Sequence, residues 1–428
     1  MKDSESLASK RTGNRRYALR RLGFAVLLLA APAAARAQPL APGTLTGAEL
    51  VETLAPAEVD RIVAELFEEA KMPSAAFPVD CYTLRFQSRY PDDTPASATA
   101  QLFVPRTPEP GPPTMYLFAP GTTGLINSCR PSREHIAGIR WGLYRSHVLA
   151  FVGQGFIGVL PDYLGFGDPG RLQPFMSAVA EGHLVLDAIR AARHFLEQSA
   201  GGRLPRGKPP VFVAGFSQGG HAAFAAADLQ RAYAPEVRLS GIIGYGPTTD
   251  MEALFREFPV VAPMAVYSFS RMYGTERFDP GQILDSRWVG SLEHDVTRQC
   301  VGGMQQYYPW SARELFAPAF SEALFARDLE NKYPQIHRIL KENSTGLARH
   351  RVPCLILQGT DDVVVTPASQ EEFVRRLCRA GSAVRYVVYR GRRHDTRQIG
   401  YWEAQEWMRA LAVGQKAPSD CRTLEALP

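Results

Sequence analysis

A serine flanked by small residues is the sharpest chemical feature of this sequence. The apolar run 211–214 leads into Gly215-Phe216-Ser217-Gln218-Gly219, and an alanine-rich stretch of helical pattern follows. A G-x-S-x-G motif between a strand and a helix is typical of a nucleophile elbow, a tight turn that projects the serine hydroxyl into a cleft. The glycines meet the need for small residues two positions before and after the serine. Ser217 is therefore a candidate nucleophile.

A serine hydroxyl is a poor nucleophile unless a base accepts its proton, so the site must also contain a base. Among the nine histidines, His394 is the one that lies in a loop after a late apolar run, 384–389. Active sites of α/β proteins form where the carboxyl ends of parallel strands meet, so we expect His394 near Ser217. His221, one helical turn beyond the serine, is the main alternative, but its position favours packing or substrate contact.

The base needs a carboxylate that orients it. The apolar run 352–357 leads into a loop that contains Gly359, Asp361 and Asp362. Asp362 stands three residues after the glycine, which is the usual G-x-x-D spacing, so we predict that it is the orienting acid. Asp361 is interpreted as a turn or solvent residue, and Asp395, beside the histidine, as a residue of the local turn.

Acyl transfer also requires N–H donors aimed at the oxygen that becomes negatively charged. One predicted donor is the backbone N–H of Gln218, the residue after the nucleophile. The other is expected in the loop after the third predicted strand, where Gly121 precedes Thr122 and Thr123, and either threonine can present its N–H. The alternative interpretation of this loop is an ordinary Pro-Gly turn.

The pattern of apolar residues predicts the elements that must position these side chains. Short runs rich in β-branched or aromatic residues predict buried strands, and amphipathic stretches between them predict helices. The predicted strands are 82–86, 97–104, 115–119, 156–160, 211–214, 242–245, 354–357 and 384–389. The main predicted helices are 57–70, 178–197, 218–233, 368–379 and 398–412. This alternation predicts an α/β fold with a mostly parallel sheet and helices on both faces.

Residues 250–350 interrupt the alternation, because they contain helical patterns but no convincing strand. Met251, Leu254, Phe255 and Phe258 lie at helical spacing. Such stripes either form the core of a helical subdomain or belong to a cap over the carboxyl ends of the strands, where some of them line an acyl pocket. The expected organisation is a core in two parts, 38–250 and 351–428, separated by a helical cap or lid, 251–350.

Composition and charge exclude several classes of protein. The 428 residues are 45% apolar and 21% charged, which is ordinary for a globular chain and excludes fibrous or wholly disordered proteins. The formal net charge is +5, but residues 1–37 alone carry +6, so the rest of the chain is near neutral at −1. Nothing in that balance indicates a nucleic-acid partner.

The amino-terminal 37 residues have the organisation of an export signal. A basic stretch precedes the apolar run 22–35, and Ala35-Arg36-Ala37 provides a small-residue cleavage site. We predict a signal peptide over 1–37, cleaved after Ala37, and a periplasmic or secreted mature protein. A membrane anchor is the alternative, but about 14 apolar residues fall short of the roughly 20 that cross a bilayer.

Export favours disulfide bonds among the six cysteines. They are Cys81, Cys129, Cys300, Cys354, Cys378 and Cys421. If all six are used, 15 pairings are possible, and the sequence alone does not select one. Cys354 lies inside an apolar run, where a buried free thiol is at least as consistent as a bridge. The chain contains no CxxC pair and no HExxH motif, so neither a metal site nor a cofactor is predicted.

The combination of these motifs resembles the secretory lipase family of α/β-hydrolases, the lipase A-like enzymes of yeasts and bacteria. The resemblance rests on segments 120–124, 129–132, 162–170, 186–192 and 215–220, together with Asp362 and His394, and covers most of residues 80–425. It implies an α/β-hydrolase fold with a large helical lid at residues 250–350. It also implies the bridges Cys129–Cys300 and Cys378–Cys421, with Cys81 and Cys354 unassigned.

Residues and resemblance together predict an exported serine hydrolase that cleaves carboxylic esters, with a preference for lipid-like ones, as a lipase or carboxylesterase. Ser217, His394 and Asp362 form the predicted triad, and Gln218 with Thr122 or Thr123 supplies the oxyanion donors. The expected partner is a small-molecule or lipid ester, with transient contact to a lipid interface and no nucleic acid. The alternatives are a peptidase or acyltransferase with the same triad, and a non-catalytic binding protein of this fold.

Overall fold

A nine-stranded sheet lies at the centre of the molecule, in a computed structural model that describes residues 40–67, 71–107, 114–168, 170–199 and 209–425. The strands are β1 (Leu45–Leu54), β2 (Val79–Arg89), β3 (Pro95–Pro105), β4 (Met115–Ala119), β5 (Ile157–Pro161), β6 (Val211–Phe216), β7 (Gly241–Tyr245), β8 (Cys354–Gly359) and β9 (Val384–Tyr389). Their order in the sheet is β1-β2-β3-β5-β4-β6-β7-β8-β9. The predicted signal peptide, 1–37, lies outside the described residues.

The sheet combines an antiparallel edge with a parallel body. Strands β1, β2, β3 and β5 pair antiparallel, whereas β5, β4, β6, β7, β8 and β9 pair parallel. Strands β4 to β8 are short and buried along almost their whole length, as expected where helices cover both faces of a sheet. The predicted mostly parallel α/β fold is therefore confirmed.

Strand β1 is the one strand that the apolar pattern does not predict. Most of its side chains are at least partly exposed, and Gly47 interrupts it. Its position comes from hydrogen bonds to the neighbouring β2, with two register shifts, rather than from burial of an apolar face. Because of this strand, the oxyanion-loop candidate follows the fourth strand of the chain and not the third.

Helices cover both faces of the sheet and form the segment between β7 and β8. In chain order they are α1 (Pro56–Ala64), α2 (Glu134–Ala137), α3 (Tyr144–Val152), α4 (Ala178–Ser199), α5 (Gln218–Tyr233), α6 (Met251–Glu257), α7 (Ala262–Tyr273), α8 (Pro280–Ile283), α9 (Ser286–Val289), α10 (Leu292–Thr297), α11 (Val301–Tyr307), α12 (Ala312–Leu315), α13 (Pro318–Phe325), α14 (Leu329–Lys332), α15 (Pro334–Glu342), α16 (Pro367–Arg379), α17 (Tyr401–Ala412) and α18 (Cys421–Glu425). Within the described ranges, no helix has both the length and the apolar character that a membrane crossing needs.

Three apolar clusters organise the packing of these layers. Helices α4, α5 and α16 pack on one face of the sheet, and α1, α3 and α17 pack on the other. The third cluster consists mainly of side chains from α6 to α15, and Leu125, Phe175 and Met176 join it from the loops at the carboxyl ends of the strands. Residues 251–342 are helical without a strand, as the sequence predicts.

Two disulfide bonds connect distant parts of the chain. Cys129 pairs with Cys300, and Cys378 pairs with Cys421, which confirms both bridges that the family resemblance implies. Cys81 and Cys354 are free and buried. The first bridge ties the segment after β4 to the start of α11, so it fixes the helical segment against the loop that holds the oxyanion candidates.

Candidate active site

Ser217 occupies a strained turn between β6 and α5. Its φ is 53° and its ψ is −115°, a backbone conformation that non-glycine residues rarely adopt outside functional sites. A Cβ atom at Gly215 would lie 1.9 Å from the Gly219 carbonyl oxygen, and one at Gly219 would lie 1.9 Å from the Ala119 carbonyl oxygen. The turn is therefore tight enough that only glycine fits at either position, as a nucleophile elbow requires.

Ser217 and His394 line the same cavity, which has a volume of about 300 Å³. It lies between the carboxyl ends of the parallel strands and the helical segment. Its walls are more apolar than polar: Trp141, Phe175, Met176, Leu254, Phe258 and Val261 are among the apolar side chains that line it, and Arg140 and Gln305 are polar ones. All four residues of the helical stripe, Met251, Leu254, Phe255 and Phe258, belong to the apolar cluster of the helical segment, and Leu254 and Phe258 also line the cavity.

Asp362 is held directly against His394. Its Oδ2 atom lies 2.9 Å from His394 Nδ1 and also accepts the Gln358 side-chain N–H at 3.2 Å. Its Oδ1 atom accepts the backbone N–H groups of Val364 at 2.8 Å and Val365 at 2.9 Å. The carboxylate is fully buried and its orientation is fixed on both sides.

The other ring nitrogen of His394 is not engaged by Asp362. His394 Nε2 is buried and has no hydrogen-bond partner in the part of the chain that the structure describes. The Ser217 hydroxyl is thus not bonded to it in this arrangement, which is common before substrate binds. A ring fixed through Nδ1, with Nε2 unbonded among the described residues and a serine lining the same cavity, is the arrangement that general-base chemistry needs.

The neighbouring carboxylates have other partners. Asp361 is exposed and accepts the Thr360 hydroxyl at 2.8 Å. Asp395 accepts the Arg397 guanidinium, with 2.9 Å between Oδ1 and Nε. Burial works to raise the pKa of Asp395, but the charge and hydrogen bonds of Arg397 outweigh it and lower that pKa. Both acids therefore serve local turns, and Asp362 is the one that the structure brings to His394.

His221 is placed away from proton transfer at Ser217. Its ring is completely buried, with Nδ1 2.6 Å from Glu181 Oε2 and Nε2 2.6 Å from the Asn343 carbonyl oxygen. Burial works to lower the pKa of His221, but the Glu181 carboxylate outweighs it and raises that pKa. Both nitrogens are thus engaged as donors, and the imidazole has no free lone pair with which to act as a base.

The oxyanion candidates differ in whether they line the cavity. Gln218 is the first residue of α5, so its backbone N–H has no acceptor within the helix, and the residue lines the cavity. Thr122 lines the cavity as well. The Thr123 side chain is only 1% exposed, and its carbonyl oxygen accepts the Val301 N–H at 2.8 Å. Of the two threonines, Thr122 is the one that the structure brings to the site.

Sequence patterns do not indicate two further residues near the site. Glu181 bonds to both Gln218 and His221, yet an acid in the first turn of a helix ordinarily only complements the helix dipole. Trp141 lines the cavity from a loop that carries no recognisable motif. Both act across the fold, and no local signal marks them.

Comparison with known proteins places the chain in a family. The family model described as secretory lipase matches residues 133–417. Lipase A of Moesziomyces aphidis is 22% identical over 340 residues, which cover 74% of this chain and 69% of that protein.

Solved structures are similar in fold. The rice cell wall degrading esterase LipA of Xanthomonas oryzae is 19% identical with a TM-score of 0.68, and the match covers 87% of this chain and 97% of that one. Lipase A of Candida antarctica in its closed state is 18% identical with a TM-score of 0.65, and the match covers 90% and 89% of the two chains. At these identities the likeness supports the α/β-hydrolase fold.

Proposed function

This chain belongs to the secretory lipase family, and from that premise we propose that it is a serine hydrolase that cleaves carboxylic esters with hydrophobic acyl groups. The observation that carries the proposal is the arrangement of His394. Its Nδ1 is fixed by the buried Asp362, its Nε2 has no hydrogen-bond partner among the described residues, and His394 lines the same cavity as Ser217.

In the proposed mechanism, Ser217 Oγ attacks the ester carbonyl while His394 Nε2 accepts its proton. Asp362 holds the ring in the tautomer that leaves Nε2 free and stabilises the imidazolium that forms. The N–H groups of Gln218 and Thr122 bind the oxygen that becomes negative. His394 then protonates the departing alcohol, an acyl-enzyme remains, and water reverses these steps to release the acid. The chemistry proceeds with protein groups alone.

The lining of the cavity supports a hydrophobic acyl group as the preferred substrate part. Aromatic and aliphatic side chains exclude water and strengthen the interactions around the reacting ester. We propose that the helical segment 251–350 acts as a cap or lid, since Leu254, Phe258 and Val261 close the cavity from that side. The volume of about 300 Å³ is at the lower end for ligand pockets, which favours short and medium acyl chains over long ones.

Exposed apolar residues beside the cavity support transient contact with a lipid interface. Val363, 67% exposed, adjoins the cavity-lining Val364, and Trp310, 56% exposed, packs against Phe258. Membership of a secretory family and two disulfide bonds fit an exported protein. We propose that the leader 1–37 directs export and is cleaved after Ala37.

Hydrolysis of p-nitrophenyl acetate, butyrate, octanoate and palmitate by the mature chain tests this function. We expect Ser217→Ala to lower kcat by about 10⁴-fold or more, because the nucleophile is removed while the fold remains. Ser311→Ala, at an exposed serine, is the matched control and should keep full activity. Full ester cleavage by Ser217→Ala, or wild-type cleavage of peptides but of no ester, would refute the proposal.

A further inference from the structure

One buried carboxylate connects the elbow to its surroundings without taking part in the proposed chemistry. Glu181, in the first turn of α4, is 2% exposed. Its Oε1 accepts the Gln218 side-chain N–H at 2.7 Å and the Met176 backbone N–H at 3.1 Å, and its Oε2 lies 2.6 Å from His221 Nδ1. Three groups around the elbow therefore converge on one side chain.

The partner of that carboxylate is anchored to the helical segment. His221 Nε2 donates to the carbonyl oxygen of Asn343, the residue that ends α15. The Asn343 side chain in turn donates to the Tyr273 hydroxyl at 2.8 Å and accepts the Ala178 N–H at 3.1 Å. The carboxylate of Glu181 thus sits in a network whose far end is fixed by the helical segment.

The backbone of Gln218 needs such an anchor. As the first residue of α5, its peptide N–H is not held by a hydrogen bond within the helix. Its side chain is buried, with Nε2 bonded to Glu181 and Oε1 without a partner among the described residues. The bond to Glu181 is consequently the polar contact that fixes this side chain next to the strained Ser217 turn.

We propose that Glu181 is a positioning residue that, by holding the Gln218 side chain, aims the Gln218 backbone N–H at the oxyanion. The inference rests on the proposed function. An oxyanion donor acts only when it points at the oxygen of the transition state, so a small displacement costs rate without weakening ground-state binding. The same carboxylate also holds Met176, a cavity-wall residue with φ of 57°, beside the donor.

The chain offers a matched control on the same helix. Asp187 is also buried and also has three hydrogen-bond partners, the Ser88 hydroxyl at 2.7 Å, the Arg190 guanidinium at 2.9 Å and the Tyr233 hydroxyl at 2.8 Å. None of these partners lines the cavity. Loss of Asp187 therefore tests the effect of removing a buried carboxylate from α4 without touching the elbow.

The test is steady-state hydrolysis of p-nitrophenyl butyrate, together with inhibition by phenylboronic acid, which forms a tetrahedral adduct with an active serine. Glu181→Ala and Gln218→Ala should each lower kcat by about 10-fold to 100-fold, less than loss of a whole donor. KM should stay within about 3-fold, and boronate affinity should fall with kcat. The double variant should be no worse than the poorer single one, because both changes break the same contact.

Glu181→Gln is the conservative variant. The amide oxygen can still accept from Gln218, and the amide nitrogen can donate to Nδ1 of a neutral His221 that keeps its Nε2–H for Asn343. We expect kcat within about 3-fold of wild type. Asp187→Ala should lower the melting temperature and leave kcat unchanged.

Three results would overturn the inference: a folded Gln218→Ala variant with wild-type kcat, a loss confined to KM, or additive effects in the double variant. If Glu181→Ala does not fold, Gln218→Ala and Glu181→Gln still test whether Glu181 positions the Gln218 backbone N–H. The proposed function fails separately, through an inactive wild type or an active Ser217→Ala variant.

Discussion

At the scale of the residue, Asp362 selects one tautomer of His394 because each of its oxygens has a defined role. Oδ1 receives the backbone N–H groups of Val364 and Val365, so only Oδ2 can face the ring. Gln358 donates to the same Oδ2. A carboxylate is the only side chain of this shape that accepts on both sides.

Asp362→Asn should therefore lower kcat by roughly 10³-fold to 10⁴-fold in a protein that still folds. The asparagine oxygen must replace Oδ1, which turns its NH₂ toward His394 Nδ1 and the Gln358 N–H. The ring then has to accept at Nδ1 and carry its proton on Nε2, where it cannot act as a base. Asp361→Asn is the control, and we expect its kcat to stay within about 2-fold of wild type. A larger loss of kcat in Asp361→Asn than in Asp362→Asn would show that Asp362 is not the orienting acid.

At the scale of the element, the elbow depends on how closely β4, β6 and α5 approach one another. The Gly219 Cα position faces the Ala119 carbonyl at the end of β4, and β4 pairs with β6 up to Gly215. The clash at 1.9 Å involves backbone atoms, which no rotamer change can relieve.

Gly219→Ala should destabilise the protein by about 3 kcal/mol or more and abolish ester hydrolysis, since β4 or α5 must shift to admit the methyl group. Gly290→Ala is the control, because a Cβ atom there would have no atom within 4 Å and the residue has a helical φ of −67°. We expect it to be neutral or stabilising by a few tenths of a kcal/mol. Thermal unfolding and ester hydrolysis check both variants, and equal stability of the two would contradict the close approach.

At the scale of the whole molecule, both faces of the sheet enclose histidines whose pKa burial lowers. His147 lies among aromatic rings on the α3 face, His183 stacks on Tyr233, and His350 packs near Phe224. Burial lowers the pKa of His183 and of His350 to about 4, and it holds the pKa of His147 well below its usual range. Between about pH 6.5 and 4 the unfolded chain binds protons that the folded chain does not, so this part of the stability falls on acidification.

His350→Gln isolates one of these contributions. The stability lost by the wild type between pH 7 and pH 4.5 should exceed that lost by the variant by on the order of 2 kcal/mol. Buried carboxylates such as Asp187, whose pKa burial raises, act in the opposite direction and cancel in this comparison. The control is His294→Gln, at an exposed histidine, and this variant should lose as much stability between the two pH values as the wild type does. Urea unfolding at both pH values is the measurement, and identical losses for wild type and His350→Gln would contradict the prediction.

The sequence alone determined the succession of the main strands and helices along the chain and the set of candidate catalytic residues. Both depend on local information: apolar periodicity within a segment, and the turn chemistry of Gly215 to Gly219 or of the loop at Gly359. The apolar pattern does not predict strand β1, because hydrogen bonds to β2 stabilise this strand and burial contributes little.

The tertiary structure decided everything that depends on which distant groups meet. It brought Asp362, the acid that the G-x-x-D spacing favours, against His394, and it placed Thr122 rather than Thr123 at the cavity, a choice that the sequence leaves open. It also brought Glu181 to Gln218, 37 positions away along the chain. A side chain's partners are fixed by the pairing of strands across the sheet and by the packing of helices on it. No pattern within one segment encodes these long-range contacts.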